Sequence, residues 1–161
     1  MILVLLGTFV AVFKRPLIEI ERLCIEGIIN EEVVVQSGYT TFDESMHLKL
    51  TPFFSPQELT TLHLKARLVI THAGTGSIMN AIRFKKKTIA IARLAKHDEH
   101  VDDQQMEILE EFAHRGYILP WRESDDISIV LAKAEQFEPA KFNSGNSKII
   151  NYITAYIDKI K

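Results

Sequence analysis

His72-Ala73-Gly74-Thr75-Gly76-Ser77 is the segment whose residue types and spacing carry the most chemistry. Glycines two positions apart let a ligand approach the backbone, and the free amides and dipole of a helix opening here would favour an anion such as phosphate. The same segment also fits a tight strand-to-helix turn that binds nothing. Two related loops fit less well, because a dinucleotide fingerprint wants glycine where Met79 stands and a P-loop wants a closing Gly-Lys-Ser/Thr. A nucleophilic hydrolase would pair Ser77 with His72 or His100, yet Gly74-Thr75-Gly76-Ser77-Ile78 lacks the Gly-x-Ser-x-Gly elbow that exposes such a serine. His72 alone suits a ligand contact or a packed, hydrogen-bonded strand end.

A second constellation is His97-Asp98-Glu99-His100-Val101-Asp102-Asp103-Gln104-Gln105. Carboxylates and carboxamides exchange hydrogen bonds with vicinal hydroxyls, so the cluster suits a sugar better than a second phosphate. Asp102 and Asp103 fit equally well as cap and dipole partners at a helix start. His97 and His100 lack the i, i+4 spacing of a helical zinc pair and no third ligand stands out, so no metal is expected. Lys85-Lys86-Lys87 reads as a solvated face, with attraction to anionic lipid as its alternative.

These residues must be held by the elements around them. Ile2 to Leu6 is a continuous apolar run closed by Gly7-Thr8, the pattern of a strand buried on both faces that hands over to a helix. Pro16 suits a first helical turn, and Leu17, Ile20, Leu23, Cys24 and Ile28 follow at helical spacing. Further strands are expected over Glu32 to Gln36, His47 to Leu50, Leu68 to Thr71, Thr88 to Ala92 and Tyr117 to Leu119. Helices are expected from a Ser55 cap to Ala66, from the Gly74 loop to Phe84, from Asp102 to His114, from Asp125 to Gln136, and from about Lys148 to the C-terminus. Strands alternating with helices predict one α/β domain over residues 1–161 with a parallel sheet. In such sheets ligands bind beyond the carboxyl ends of the strands, which points to Gly7-Thr8, Gln36-Ser37-Gly38, His72 to Ser77 and Arg93 to Gln105.

The bulk numbers agree with a single folded domain: 161 residues, 47% hydrophobic and 25% charged. A formal net charge of -2 gives no sign of a general nucleic-acid binder. Cys24, the single cysteine, has no partner for an internal disulfide and reads as a buried thiol in a reducing compartment. The apolar stretch Met1 to Phe13 is too short for a membrane-spanning helix, and its basic residues, Lys14 and Arg15, follow it where a signal sequence would place them first.

Taken together, Gly7-Thr8, Gln36-Ser37-Gly38, His72 to Ser77, and Arg93 followed by Glu99 to Gln105 resemble the C-terminal domain of glycosyltransferase family 28, most of all the short subunits of split transferases. These include the soluble subunit of the dolichol-pathway N-acetylglucosaminyltransferase and the small subunits of bacterial capsule and exopolysaccharide transferases. The resemblance implies the C-terminal, donor-binding half of a GT-B fold, a Rossmann-like parallel sheet flanked by helices. It implies that Gly7, Thr8 and the Gly74, Thr75, Gly76, Ser77 loop, with His72 at its edge, approach the diphosphate of a UDP-sugar. Asn80 takes the place where an acidic residue often binds the ribose; Phe54, Ser55 and Leu59 would border the uracil. Gln104 and Gln105 would contact the sugar, and Glu99, His100 and Asp103 belong to the same loop. Lys87 and Ala92 stand where the family often has proline, Gln104 where the split subunits often have histidine, and Phe9 to Phe13 is apolar where they turn polar.

The expected reaction is transfer of a hexose or hexose derivative from a UDP-sugar to a lipid-linked saccharide acceptor. It would proceed without a cofactor or essential metal, with helix amides and Arg93 holding the departing diphosphate. The catalytic base is expected on a membrane-anchored partner subunit carrying the acceptor domain, and this chain is expected at the cytoplasmic face of the membrane through that partner. Residues 146–161 form an amphipathic helix, with Ile149, Ile150, Tyr152, Ile153, Tyr156, Ile157 and Ile160 on one side, that would dock on the partner or pack on its own domain. The alternatives are a non-catalytic subunit that stabilises or activates its partner, and a stand-alone nucleotide-binding or hydrolase domain.

Overall fold

In the computed structural model, which describes residues 1–43, 45–142 and 146–159, the apolar run Ile2–Leu5 forms strand β1, fully enclosed. The other strands are β2 (Val33–Gln36), β3 (Leu48–Thr51), β4 (Leu68–His72), β5 (Lys87–Ile91) and β6 (Leu119–Pro120). All pair in parallel, in the order β3-β2-β1-β4-β5-β6. The chain therefore builds outward from β1 in one direction, then returns and builds outward in the other. The reversal lies between β1 and β4, and it is there, beyond the strand ends, that such sheets leave a crevice.

The helices are α1 (Arg15–Ile25), α2 (Pro56–Lys65), α3 (Thr75–Arg83), α4 (Gln104–His114), α5 (Ile127–Gln136) and α6 (Asn146–Lys159), with one turn of 3-10 helix at Ala95–His97. Alternation along the strands divides the core. Ile2 and Val4 of β1 join Val33, Val35, Ile70 and Ile89 beneath Leu17, Ile20 and Leu23 of α1 and Ile127, Val130 and Leu131 of α5. On the opposite face, Leu3, Leu5 and Val69 pack with Ala81 of α3, and Leu59 and Leu62 of α2 close the edge. Farther along, Ala90 and Ala92 meet Ile78 of α3 and Leu109 of α4. β1, β2, β4 and β5 are thus covered on both faces, as their unbroken apolar runs require, while Lys49 of the edge strand β3 is exposed.

Several element ends differ from the sequence expectation for local reasons. α1 stops at Ile25 because Gly27 takes φ 68 and the Ile28 amide turns back to the Leu23 carbonyl at 2.9 Å, leaving Ile28 exposed. β6 begins at Leu119, since the Tyr117 amide closes the end of α4 on the Phe112 carbonyl at 3.1 Å. α4 begins at Gln104, two residues later than expected, with Asp102 accepting from the Gln104 amide at 3.1 Å. Of the Lys85 to Lys87 run, Lys86 donates to the Leu64 carbonyl and Lys87 to the Glu135 carbonyl, so only Lys85 lacks a partner among the described residues.

Candidate functional site

The crevice at the switch point is built from the turns after β1 and β4. Gly7, which ends β1, has φ 83, a left-handed backbone that side chains rarely adopt. Gly38, after β2, crosses directly over its carbonyl, leaving no room for a Cβ. After β4 the chain turns through Gly74, the N-cap of α3, which has no side chain to offer. The first amide of α3 with an intrahelical partner is that of Ile78, which donates to the Gly74 carbonyl at 3.1 Å. The amides of Thr75, Gly76 and Ser77 have no acceptor among the described residues, and a Cβ built on Gly76 meets nothing within 4 Å. Three free donors and an open approach at the positive end of a helix suit an anion.

His72 fills the space between the two glycine turns. Its Nδ1 accepts from the Gly74 amide at 3.1 Å and its Nε2 lies 3.1 Å from the Ser77 Oγ. A Cβ on Gly7 would come within 2.6 Å of Nε2, and one on Gly74 within 2.1 Å of Cε1. Burial, then the nearby Arg93 guanidinium, lower its pKa from 6.5 to about 4, so the ring is neutral near pH 7. The Gly74 amide, expected to face a ligand, is thus already bonded, and the available donors begin one residue later.

The turn after β5 is organised from within. Arg93 is 1% exposed, and its guanidinium donates to the carbonyls of Leu6 at 2.9 Å, Ala11 at 2.8 Å and Glu99 at 2.9 Å. The Phe13 ring lies 4.7 Å from its guanidinium carbon. Glu99 is also enclosed, accepting from Nε and Nη2 of Arg15 at 3.0 and 2.7 Å and from the Leu94 amide at 3.0 Å. Gln105, at the start of α4, is buried with its carboxamide oxygen on the Arg93 amide at 3.2 Å. Arg93, Glu99 and Gln105 therefore brace the turn from inside; the resemblance had implied that Arg93 holds the diphosphate and Gln105 contacts the sugar. His100, Asp103 and Gln104 lie on the outer side. His100 stacks on Phe9 at 4.7 Å and meets Asp102 at 3.0 Å; Asp103 holds the Ala95 amide at 2.8 Å; Gln104 is exposed.

On the other side of the switch point, the Ser55 hydroxyl and the Glu58 carboxylate form a reciprocal cap on α2. The Phe54 amide donates to Gln36 Oε1 at 3.1 Å, tying this turn to the end of β2. Phe54 faces a shallow cleft of about 350 Å³ with Gln57, Glu58, Thr61 and Leu62, while Leu59 turns partly into the core and Ser55 is occupied by its cap. Thr8 and Asn80 are exposed on the rim. A second cleft, about 330 Å³, lies beside the turn after β5, between Arg15, Leu94, Asp103, Met106 and Trp121.

Arg15 is the site-organising residue that the sequence reading passed over. Its signal was local: a cation in the first turn of a helix opposes the helix dipole, so it needs a partner elsewhere. No group of three or more His, Cys, Asp or Glu able to hold a metal occurs among the described residues. No helix among them is long and apolar enough to cross a membrane. In α6, the apolar residues Ile150, Tyr152, Ile153, Tyr156 and Ile157 are all exposed; the side chain of Ile149 and residue Ile160 lie outside the described residues.

Comparison with known proteins agrees with this architecture. The family described as glycosyltransferase family 28 C-terminal domain matches residues 1–151. The UDP-N-acetylglucosamine transferase subunit ALG13 of Candida glabrata is 31% identical over 112 residues, which are 70% of this chain and 53% of that protein. The Yarrowia lipolytica subunit of the same name is 31% identical over 85 residues, 53% of this chain and 41% of its own length. The chain spans about half the length of the curated relatives it matches. The crystal structure of the calicheamicin glycosyltransferase CalG4 superposes with a TM-score of 0.59 at 15% identity, covering 99% of this chain and 43% of that one. An NMR structure of ALG13 gives 0.54 at 19% identity, covering 92% and 93%. At such identities the likeness speaks for the fold, that of the C-terminal half of a GT-B enzyme.

Proposed function

This chain belongs to the glycosyltransferase family 28 C-terminal domains, and from that premise we propose that it binds a UDP-sugar and supplies the donor half of a two-component glycosyltransferase. The observation that carries the proposal is the opening of α3 at the switch point, where the amides of Thr75, Gly76 and Ser77 stand free beside Gly7 and Thr8. A diphosphate placed there meets aligned donors and the positive end of a helix, which stabilise the charge that grows as the sugar departs. No essential metal is needed in this scheme. Arg93 helps indirectly by fixing the turns after β1 and β5, while His100, Asp103 and Gln104 are the polar groups left to meet the sugar.

The reaction proposed is transfer of a hexose or hexose derivative to a lipid-linked saccharide acceptor, in polysaccharide or glycolipid-type glycan synthesis, including the capsule and exopolysaccharide kind. The names of the curated relatives, subunits of a UDP-N-acetylglucosamine transferase, support both the uridine diphosphate donor and the need for a second subunit. We place the acceptor site and the catalytic base on that membrane-anchored partner, which would hold this chain at the cytoplasmic face of the membrane. The exposed apolar side of α6 supports a docking surface, since such a stripe is otherwise costly to solubility.

Calorimetry with uridine diphosphate in the presence of a chelator tests the donor site directly. Binding is expected without added metal, and binding that appears only with magnesium or manganese would overturn the metal-free scheme. Turnover by the partner alone at the rate of the pair would remove the need for this chain, and slow turnover by the partner that rises when this chain is added would favour the enhancer role.

A further inference from the structure

The imidazole of His72 sits within hydrogen-bonding reach of two groups of the proposed diphosphate site, and each contact constrains the other. The Gly74 amide can only donate, so Nδ1, at 3.1 Å, must carry a lone pair. In a neutral ring the proton is then on Nε2, which faces the Ser77 Oγ at 3.1 Å. A hydroxyl that accepts there has its own proton free to point elsewhere. We infer that His72 is a positioning residue: held as the tautomer protonated on Nε2, it makes Ser77 accept on its inner side and donate its hydroxyl proton outward to the donor diphosphate, without touching the ligand itself.

Three observations support this assignment, which rests on the donor-site reading above. The ring is flanked by Gly7 and Gly74, which approach it so closely that neither has room for a Cβ. Protonating the ring, or moving its proton to Nδ1, sets an N–H against the Gly74 N–H, and burial together with Arg93 already disfavours the cation. Ser77 lies in the first turn of α3, so its aimed hydroxyl adds a fourth donor to the free amides of Thr75, Gly76 and Ser77. A neutral donor set that does not change with protonation meets the growing charge of the departing diphosphate alike across this pH range.

Two measurements on the full chain test the inference. Nitrogen-15 NMR of the His72 ring, recorded without nucleotide, is expected to show Nε2 protonated and Nδ1 bare from pH 8 to pH 5.5. An Nδ1-protonated ring, or an imidazolium at pH 6, overturns the inference. In uridine diphosphate calorimetry, Ser77→Ala is expected to lose about ten- to a hundredfold in affinity, the scale of one hydrogen bond to a charged group. His72→Leu, which keeps the bulk but neither nitrogen, is expected to lose a similar factor. The double variant should bind no more weakly than His72→Leu alone, and His72→Gln should recover part of the loss. Additive losses would mean that His72 meets the ligand itself, against the inference. A wild-type chain that binds no uridine diphosphate defeats the donor-site reading instead, and the ring spectrum still decides the state of Ser77.

Discussion

Arg15 and Glu99 are 84 positions apart, yet they meet through two hydrogen bonds of 3.0 and 2.7 Å that join the start of α1 to the turn after β5. The same carboxylate also takes the Leu94 amide, and the Arg15 guanidinium reaches the Ala92 carbonyl at 2.9 Å. The pair therefore clamps the turn after β5 onto the segment that follows β1. Removing Glu99 leaves the Leu94 amide without its acceptor and the partly exposed Arg15 without its counter-ion, which usually costs a few kcal/mol. Glu99→Ala is expected to lower unfolding stability by about 3 kcal/mol in urea titration. A loss under 0.5 kcal/mol would show that the pair is a surface contact in solution.

The two glycines of the α3 loop are predicted to fail differently. Gly74→Ala drives a methyl into the His72 ring and should destabilise the fold by about 1–3 kcal/mol, the usual cost of overpacking. Gly76→Ala meets open space, lies inside α3 and should be neutral or slightly stabilising. It should nevertheless weaken uridine diphosphate binding, because the new methyl occupies the approach to the free amides. Thermal melts and calorimetry on the two variants separate these effects, and unaltered nucleotide affinity in Gly76→Ala would move the phosphate away from this loop.

Stability should fall as the solution is acidified from pH 6.5 toward pH 4. His72 has a folded-state pKa of about 4 against 6.5 in the unfolded chain, so in this window the unfolded ensemble takes up a proton that the native state refuses. Its contribution is complete above pH 6.5 and shrinks by up to ~1.4 kcal/mol per pH unit below it, the loss approaching ~3 kcal/mol near pH 4. The groups facing the ring are Arg93 and His100, which oppose its protonation, and Gln105, which favours it. Buried His63 is shifted the same way, by burial. His72→Gln should flatten part of the slope in denaturant titrations between these pH values; an unchanged slope would mean that the ring titrates normally.

Gln104 and Gln105 should separate function from stability. The Gln105 carboxamide serves the buried Arg93 amide, so Gln105→Ala is expected to cost about 1–2 kcal/mol of stability. Gln104 is exposed, so Gln104→Ala should leave stability within about 0.5 kcal/mol. With the partner present it should lower transfer while bare uridine diphosphate still binds normally. Equal losses for nucleotide and nucleotide sugar would place Gln104 outside the sugar contact.

Removal of residues 146–161 should leave a folded chain that binds uridine diphosphate, because the apolar side of α6 is exposed. Co-purification with the acceptor subunit should be lost. A truncated chain that still pairs with it would put the interface elsewhere.

The strand and helix order could be read from the sequence because doubly covered strands need unbroken apolar runs and each turn carries its own glycine or cap. The Gly74 to Ser77 loop was legible for the same reason: glycine spacing and helix-start position are local properties. The roles of Arg93, Glu99 and Gln105 were not legible, since their partners are Leu6, Ala11, Arg15 and each other, brought together only by the fold. A polar side chain beside a strand end looks the same in one dimension whether it points at a ligand or at a carbonyl beneath the turn. The ends of α1 and β6 were misplaced because apolar periodicity ran past the residues whose amides close the helices.

The ring of His72 also makes an evolutionary constraint of unequal reach. Gly7 is required twice, by the ring and by its own left-handed backbone at φ 83, so replacing the histidine would not release it. Gly74 has ordinary extended backbone, φ -80 and ψ 131, and what excludes a side chain there is the ring. As far as folding is concerned, position 74 drifts most freely in lineages where position 72 has first become smaller, and a histidine regained at 72 would cost about 1–3 kcal/mol of stability unless glycine returned at 74. The two positions should therefore change in that order more often than the reverse, while position 7 stays still.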